Sequence, residues 1–444
     1  MSTGPTGPLY LGVDLGTSSV KAALLDSGGE LHGVSAAAYT LSSPDPSWAE
    51  IDPRLWWDAA ARAVRACTAR RADRVAAVGL SGQMHGVVLS DADGAAVRPA
   101  ILWPDGRAAD RLDRFTALPG DARARLANPP MPGAAGPMLV WLADHEAAAL
   151  ARARWALQPK DWLRLRLTGR AATEPSDASG TLLYDLAADD WAYDVAARLG
   201  LRGDLLAPVL PSARSAGGLT REAADALGLR PGTPVAAGAA DTAAAALGAA
   251  LRPGDVQLTI GTGAQVVALA DRIGPAPDPR TNVFRTAAPQ GYYRLSAIAN
   301  AGLALEWAVR VFGATWDELY AAAEGDGAGA PVFVPHLAPE RGAGLAAGAF
   351  TGLKAGHDRA DLLHAVLRGV AGGIADAVAA LEPDGAAPVR VAGGGARDPR
   401  WLALLRRVLG RRLDPVPVHE ASVRGAALLA AASTDAPIPP ASRP

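Results

Sequence analysis

Between Leu9 and about Leu41, apolar residues alternate with small or polar ones, the period of half-buried strands, and Ser27-Gly28-Gly29-Glu30 interrupts them as a hairpin turn. The period then changes. Asp52-Pro53 supplies an N-cap with proline at the first helical position, and Leu55 to Ala69 carries apolar residues at helical spacing. A short apolar run, Val75 to Leu80, ends in the polar loop Ser81-Gly82-Gln83-Met84-His85-Gly86, and Ala100 to Trp103 repeats the theme before Asp105-Gly106-Arg107. In α/β sheets ligands bind outside the carboxyl ends of strands, so these loops are expected to face a ligand. A helix-rich stretch that includes Pro159 to Gly169 leads to the small polar loop Ser176-Asp177-Ala178-Ser179-Gly180-Thr181. The proline-glycine turn Leu229 to Pro234 marks the expected domain boundary. Beyond it come a helix over about Leu303 to Phe312 and a strand over Val389 to Ala392. Asp398-Pro399 then opens a helix whose Trp401, Leu405 and Val408 share one face. The pattern predicts an α/β protein with domains at 8–232 and 233–433 and a proline-rich tail at 434–444.

One segment occurs twice. Leu11-Gly-Val-Asp14-Leu-Gly16-Thr17-Ser18-Ser19 near the start matches Val256-Gln-Leu-Thr259-Ile-Gly261-Thr262-Gly263-Ala264 in the second half, each reading as strand, Gly-Thr turn and strand. Such repetition points to a duplicated fold with the two turns facing one ligand across a cleft. Glycine lets backbone N–H groups approach an anion closely and the hydroxyls add donors, so the pair reads as a phosphate clamp. The copies differ at one position, Asp14 against Thr259. A carboxylate beside phosphates repels them unless a cation intervenes, and Mg²⁺ binds through one or two carboxylates plus phosphate oxygens, so Asp14 suggests a metal.

Bulk properties narrow the classes. The 444 residues call for two large domains or three small ones, and with half of them apolar a substantial core can form. A net charge of −2, with no lysine-rich block, gives no electrostatic reason to expect nucleic acid or an anionic membrane. The alanine-rich stretch Val235 to Leu251 is broken by Asp241 and Thr242 and makes a poor membrane span, and Met1 to Pro8 does not read as a signal peptide. The single cysteine, Cys67, excludes an intramolecular disulfide and fits a reducing compartment, so a cytoplasmic location is expected.

The chemistry concentrates at few positions. Val235 to Ala240 reads as a buried strand ending in Asp241, which caps the alanine helix that follows; the same carboxylate can accept a proton from a substrate hydroxyl attacking the γ-phosphorus of ATP. Two phosphate turns, one carboxylate on the metal side and one base make a phosphoryl-transfer set. Gly-x-x-x-x-Gly-Lys-Ser/Thr is absent, so the device is not a P-loop. Gly393-Gly394-Gly395-Ala396-Arg397, between strand and helix, suits a flat group lying against bare backbone, or simply a tight turn. Of the histidines other than His85, none is read as having metal-ligand spacing with a second His, Cys or carboxylate, which argues against a zinc enzyme.

Taken together, these segments resemble the FGGY carbohydrate kinases, within the actin/hexokinase/Hsp70-like (ribonuclease H-like) fold, and most closely the branch that phosphorylates D-xylulose. The resemblance runs from about Leu9 to Leu429. It rests on Asp14 to Thr17, Trp48-Ala-Glu50-Ile-Asp52-Pro53 with Trp56-Trp57, Gly82 to Gly86, Leu102 to Arg107, Pro159 to Gly169, Ser176 to Thr181 and Gly393 to Arg397. It implies two such domains with a catalytic cleft between them, ATP and Mg²⁺, a small-molecule sugar, domain closure over it and a possible homodimer. By the resemblance Asp241 is the catalytic base and Asp14 places Mg²⁺ and phosphates. Met84 and His85, with Asp241 and Thr242, contact the sugar. Gly16, Thr17 and Ser18 face the phosphates from one side and Gly261, Thr262 and Gly263 from the other, while Gly394, Gly395 and Ala396 line the adenosine pocket. The chain departs from the family where Thr242 replaces an Asn after the base, at Met138 and Arg368, and in a loop near Arg341 that reads as shortened. The expected activity is transfer of phosphate from ATP to D-xylulose at O5. Set against it are a kinase for another ketopentose or polyol, a sugar sensor that has lost turnover, and a chaperone-like ATPase.

Overall fold

The alternation at the N-terminus becomes three antiparallel strands, Leu9–Leu15, Ser19–Asp26 and Leu31–Ala38, with Gly29 donating to the Asp26 carbonyl at the hairpin turn. The computed structural model describes residues 7–273, 280–325, 327, 329–338, 347–382, 385, 387–416 and 420–434. Its chain forms two units. The first comprises Met1–Ala250, Phe284–Gly291 and His419–Pro444; the second comprises Leu251–Val283 and Tyr292–Val418.

In the first unit, Val75–Gly82 lies parallel to Leu9–Leu15, and Pro234–Ala236 lies parallel to Val75–Gly82 on its other side. The run that follows the Leu229–Pro234 turn therefore still belongs to the first sheet. Two short pairs, Ala239 with Ser81 and Ala240 with Gly82, extend it to Asp241. One face is covered by the helix Pro53–Thr68, whose Asp52 cap accepts from the Arg54 N–H. Trp56, Ala60, Ala63 and Val64 point from it into the core with Leu11, Val13, Leu24 and Leu80. Cys67 is buried there.

On the other face runs the C-terminal helix Ala421–Ala432, rich in small residues where it crosses the strands at very short range. A Cβ on Gly79 would sit 1.9 Å from the Ala426 carbonyl oxygen, so only glycine permits the crossing. Tyr10, Leu25, Ala77, Ala427, Ala430 and Ala431 close the seam.

The second unit repeats the plan. Val256–Ile260 and Ala264–Ala270 form an antiparallel hairpin, Tyr292–Ile298 pairs with the second of these strands, and Val389–Ala392 lies parallel to the first. Leu413–Pro415 follows parallel to Val389–Ala392. The helix Arg359–Leu381 packs on this sheet, and Gly302–Val311 and Pro399–Leu409 pack against that helix. Trp401 and Leu405 are fully buried as their spacing predicts, while Val408 is half-buried at the margin. Arg359–Leu381 is the one helix among the described residues long and apolar enough to cross a bilayer, and 56% of its apolar window is buried in this core. The expected strand at Ala100 to Trp103 is only Ala100–Ile101, paired with Glu50–Ile51. Pro339 to Gly342 and most of the C-terminal tail lie outside the described residues.

Candidate active site

In the first unit the site is built at the carboxyl ends of adjacent parallel strands. Register sets Asp14 opposite Lys21 on one side and Ser81 on the other. Ser81 Oγ donates to Asp14 Oδ1 at 2.9 Å. Burial raises the Asp14 pKa above the usual carboxylate range; the Ser81 hydrogen bond and the Lys21 charge oppose that shift, and Glu420 adds to it. Lys21 is itself tied to Glu420, with Nζ 2.7 Å from the carboxylate.

The turn after Asp14 is held by its own backbone and by side chains the sequence reading did not single out. Gly16 N–H donates to the Ser19 carbonyl at 3.0 Å. The Gly16 carbonyl accepts from Gln83 Nε2 at 3.1 Å and from the Tyr39 hydroxyl. Trp103 Nε1 donates to Thr17 Oγ1 at 3.1 Å, and Ser18 remains exposed.

Asp241 immediately follows the last residue of the same sheet, Ala240. Expected as the helix cap, it is instead the first residue of the helix Asp241–Gly248, and Ala240, in extended backbone, is the cap. Pairing of Ala240 with Gly82 keeps the strand going one residue further and delays the helix. The Asp241 carboxylate is thereby released from capping. It accepts from the Thr242 N–H at 2.5 Å and from the Thr242 hydroxyl at 3.2 Å, both on Oδ1. Burial, and next the charge of Asp14, push its pKa up to about 6, against the two Thr242 hydrogen bonds. A carboxylate with that pKa is ionised at neutral pH, yet is a stronger base than an ordinary aspartate.

Met84 and His85 lie in the loop that follows the neighbouring strand Val75–Gly82 and are buried. His85 has a left-handed backbone, φ 72°, which is uncommon for a non-glycine residue and clusters at functional sites. Its Nδ1 lies 2.8 Å from the Gly180 carbonyl oxygen. A carbonyl only accepts, so the proton sits on Nδ1 and the ring orientation is fixed. A Cβ on Gly180 would come within 3.0 Å of that ring and 3.1 Å of the Met84 methyl, so the Ser176 to Thr181 loop packs directly beneath both. Phe284, 5.7 Å from the His85 ring centroid, completes this wall. It went unnoticed in the sequence because nothing in its local pattern ties Phe284–Gly291 to the first unit.

The second unit gathers its own set. Gly261 N–H donates to the Gly263 carbonyl at 2.8 Å, and the exposed Thr262 lends its carbonyl to Leu303 N–H at 2.8 Å. Gly393 and Gly395 pack on Ile260, whereas nothing stands within 4 Å of where a Gly394 Cβ would be. The Gly394–Ala396 turn and the Gly261–Gly263 turn thus lie side by side with open backbone.

Of the departures from the family pattern, Thr242 lies beside Asp241 and the loop near Arg341 lies outside the described residues. Met138 is fully buried in the helix Ala135–His145, and Arg368 is exposed on Arg359–Leu381. The motif residues Glu50, Asp105 and Arg107 form a buried ion cluster, with Arg107 stacked 3.7 Å over Trp48.

Comparison with known proteins agrees over the whole length. Residues 9–248 match the profile of the FGGY family of carbohydrate kinases, N-terminal domain, and residues 256–434 that family's C-terminal domain. The xylulose kinase of Escherichia coli strain K12 is 36% identical over 416 residues, 91% of this chain and 86% of that protein. Among solved structures, a xyloylose kinase from Brucella ovis superposes with a TM-score of 0.90 at 35% identity, covering 97% of this chain and 91% of that one. The xylulose kinase from Rhodospirillum rubrum gives 0.88 at 29%, covering 95% and 89%.

Proposed function

The chain belongs to the FGGY family of carbohydrate kinases, ATP-dependent enzymes that phosphorylate sugars, and from that premise we propose that its sugar is D-xylulose, phosphorylated at O5 to D-xylulose 5-phosphate. The observation that carries the reading of the reaction is the carboxylate pair: Asp241, with its pKa up to about 6 through burial and Asp14, is suited to take a proton from an attacking hydroxyl. The choice of sugar rests on the relatives named as xylulose kinases.

In this reading Met84 and His85 hold the ketopentose, and Asp241 with Thr242 meets its terminal hydroxyl. The O5 proton passes to Asp241 as O5 bonds to the γ-phosphorus, and the bond from that phosphorus to the β–γ bridging oxygen breaks, releasing ADP. The N–H groups of Gly16, Thr17 and Ser18 and of Gly261, Thr262 and Gly263 would bind phosphate oxygens, with Gly394, Gly395 and Ala396 beside the adenosine. A divalent cation, Mg²⁺, fits the donor set. Asp14 offers hard carboxylate oxygens steadied by Ser81, and its charge already raises the proton affinity of Asp241, a repulsion that a cation relieves. Bound at Asp14, the ion would neutralise charge on the phosphates during transfer.

Coupled ADP release with Mg²⁺-ATP over D-xylulose, L-xylulose, D-ribulose, L-ribulose, glycerol and D-fructose tests the proposal. Highest kcat/KM with D-xylulose is expected; preference for another sugar would keep the reaction and reassign the substrate.

A further inference from the structure

Beneath the base lies a group of charges with no exposure at all. Lys160 Nζ is 2.6 Å from Asp161, 3.0 Å from Asp177 and 3.3 Å from Glu174, and Arg164 Nη1 is 2.9 Å from Asp161, every one of these side chains at 0%. Burial works against the Lys160 charge, but Asp161, Asp177 and Glu174 together hold its pKa above the ordinary value. So many buried charges in one place cost desolvation, and Asp161 Oδ2, Arg164 Nε and both Asp177 carboxylate oxygens lack a hydrogen bond among the described residues, so what the cluster contributes is fixed geometry rather than net stability.

Two bonds lead from this cluster to the strand that ends at Asp241. Arg164 Nη1 donates to the Ala237 carbonyl at 2.5 Å. Ser176 Oγ, 2.8 Å from each Glu174 oxygen, donates to that carboxylate and accepts the N–H of Ala240 at 2.9 Å. Ala240 is the residue immediately before the base. Glu174 is held in turn by the Ser176 and Asp177 N–H groups, by Ser212 Oγ at 2.9 Å and by Lys160. The same loop supplies the Gly180 carbonyl that fixes His85.

We propose that Ser176, anchored by Glu174 and the buried Lys160, is a positioning residue: through the Ala240 N–H it sets where the Asp241 carboxylate stands. This rests on the kinase reading above. Without the hydroxyl, Ala240 keeps its pairing with Gly82 but loses its lateral tether, and the helix beginning at Asp241 gains freedom to shift. Misplacing a reacting group by a fraction of an ångström to an ångström is reflected in turnover more than in ground-state binding.

Ser212 provides the control. It donates to the same Glu174 carboxylate and is buried, yet its hydroxyl makes no bond to Ala240. In steady-state kinetics with D-xylulose and Mg²⁺-ATP, Ser176→Ala is expected to lower kcat about tenfold or more with both KM values within about twofold. Ser212→Ala should lose comparable stability and keep kcat within about twofold of the wild type. Ser176→Cys retains a weak acceptor and should give an intermediate kcat; it carries the test by itself if the alanine variant does not fold. An active wild type with Ser176→Ala or Ser176→Cys no slower than Ser212→Ala would overturn the positioning role alone. A wild type silent with every sugar would overturn the kinase reading and this role with it.

Discussion

The two Gly-Thr hairpins share a frame and differ in what they carry. In each, an antiparallel hairpin is followed by a strand parallel to its first member, Val75–Gly82 in one unit and Val389–Ala392 in the other. The first turn has Gly16, Thr17, Ser18 and Ser19 between the paired Leu15 and Val20; the second has only Gly261, Thr262 and Gly263 between Ile260 and Ala264. At the matched position Asp14 faces Lys21 and Ser81, while Thr259 faces Gln265 and Ala392. Charge and base therefore collect in the first unit, and the second offers bare backbone. The same hairpin frame recurs in both units, and on the proposed function the buried carboxylates of the first copy carry the chemistry.

That asymmetry can be broken in order of expected effect. Asp241→Ala should lower kcat about a thousandfold, the middle of the range for loss of a general base, with circular dichroism unchanged. Near-normal rates would remove Asp241 from the mechanism. Asp14→Ala should cost about a hundredfold in kcat, whereas Thr259→Ala, its counterpart, should stay within about threefold. Equal losses at the two positions would mean that the hairpins share the chemistry after all.

The third test concerns stability. The folded pKa of Asp241 is raised to about 6, so between the ordinary carboxylate range and about 6 the folded chain holds a proton that the unfolded chain has released. Stability is therefore lost as pH rises through that window. Asp241→Asn removes the charge and should stabilise the protein at neutral pH by about 1–3 kcal/mol in urea denaturation, the gain vanishing at about pH 4. A variant less stable than wild type at neutral pH would contradict the shift.

The smallest effect sharpens the second copy. Gly394→Ala places a methyl where nothing stands within 4 Å, so it should leave stability unchanged and raise KM for ATP about threefold. Gly395→Ala would put its Cβ 2.5 Å from Ile260 Cγ2 and should lower stability instead. An unchanged KM for ATP in Gly394→Ala would move the nucleotide away from this turn.

Much of the fold could be read in advance because its signals are local. Alternation, the Asp52-Pro53 cap and the Trp401 and Leu405 face each depend on neighbours in sequence. The repeat carried the rest, since it announced two sheets of one plan. What escaped was set by distant contacts. Asp241 is not a cap because Ala240 pairs with Gly82, far away in the chain. The C-terminal helix belongs to the first unit because Gly79 lets it approach, and the alanine pattern of Ala421–Ala432 does not say which sheet it will cover. Ser81 and Gln83 lay within a quoted loop, but their roles depend on register with Asp14 and Gly16. The buried cluster around Lys160 lies in what reads in sequence only as a helix-rich stretch, because charges three and four apart on a helix usually face water.

The account turns on one carboxylate raising the proton affinity of another. The most direct test is the titration of the Asp241 carboxyl, followed by NMR in the metal-free and ligand-free protein, in the wild type and in Asp14→Asn. A midpoint near about 6 is expected in the wild type, moving part of the way toward the ordinary carboxylate range in the variant because burial, the larger cause, remains. A wild-type midpoint in the ordinary carboxylate range, or one that stays in place when the Asp14 charge is removed, would contradict it.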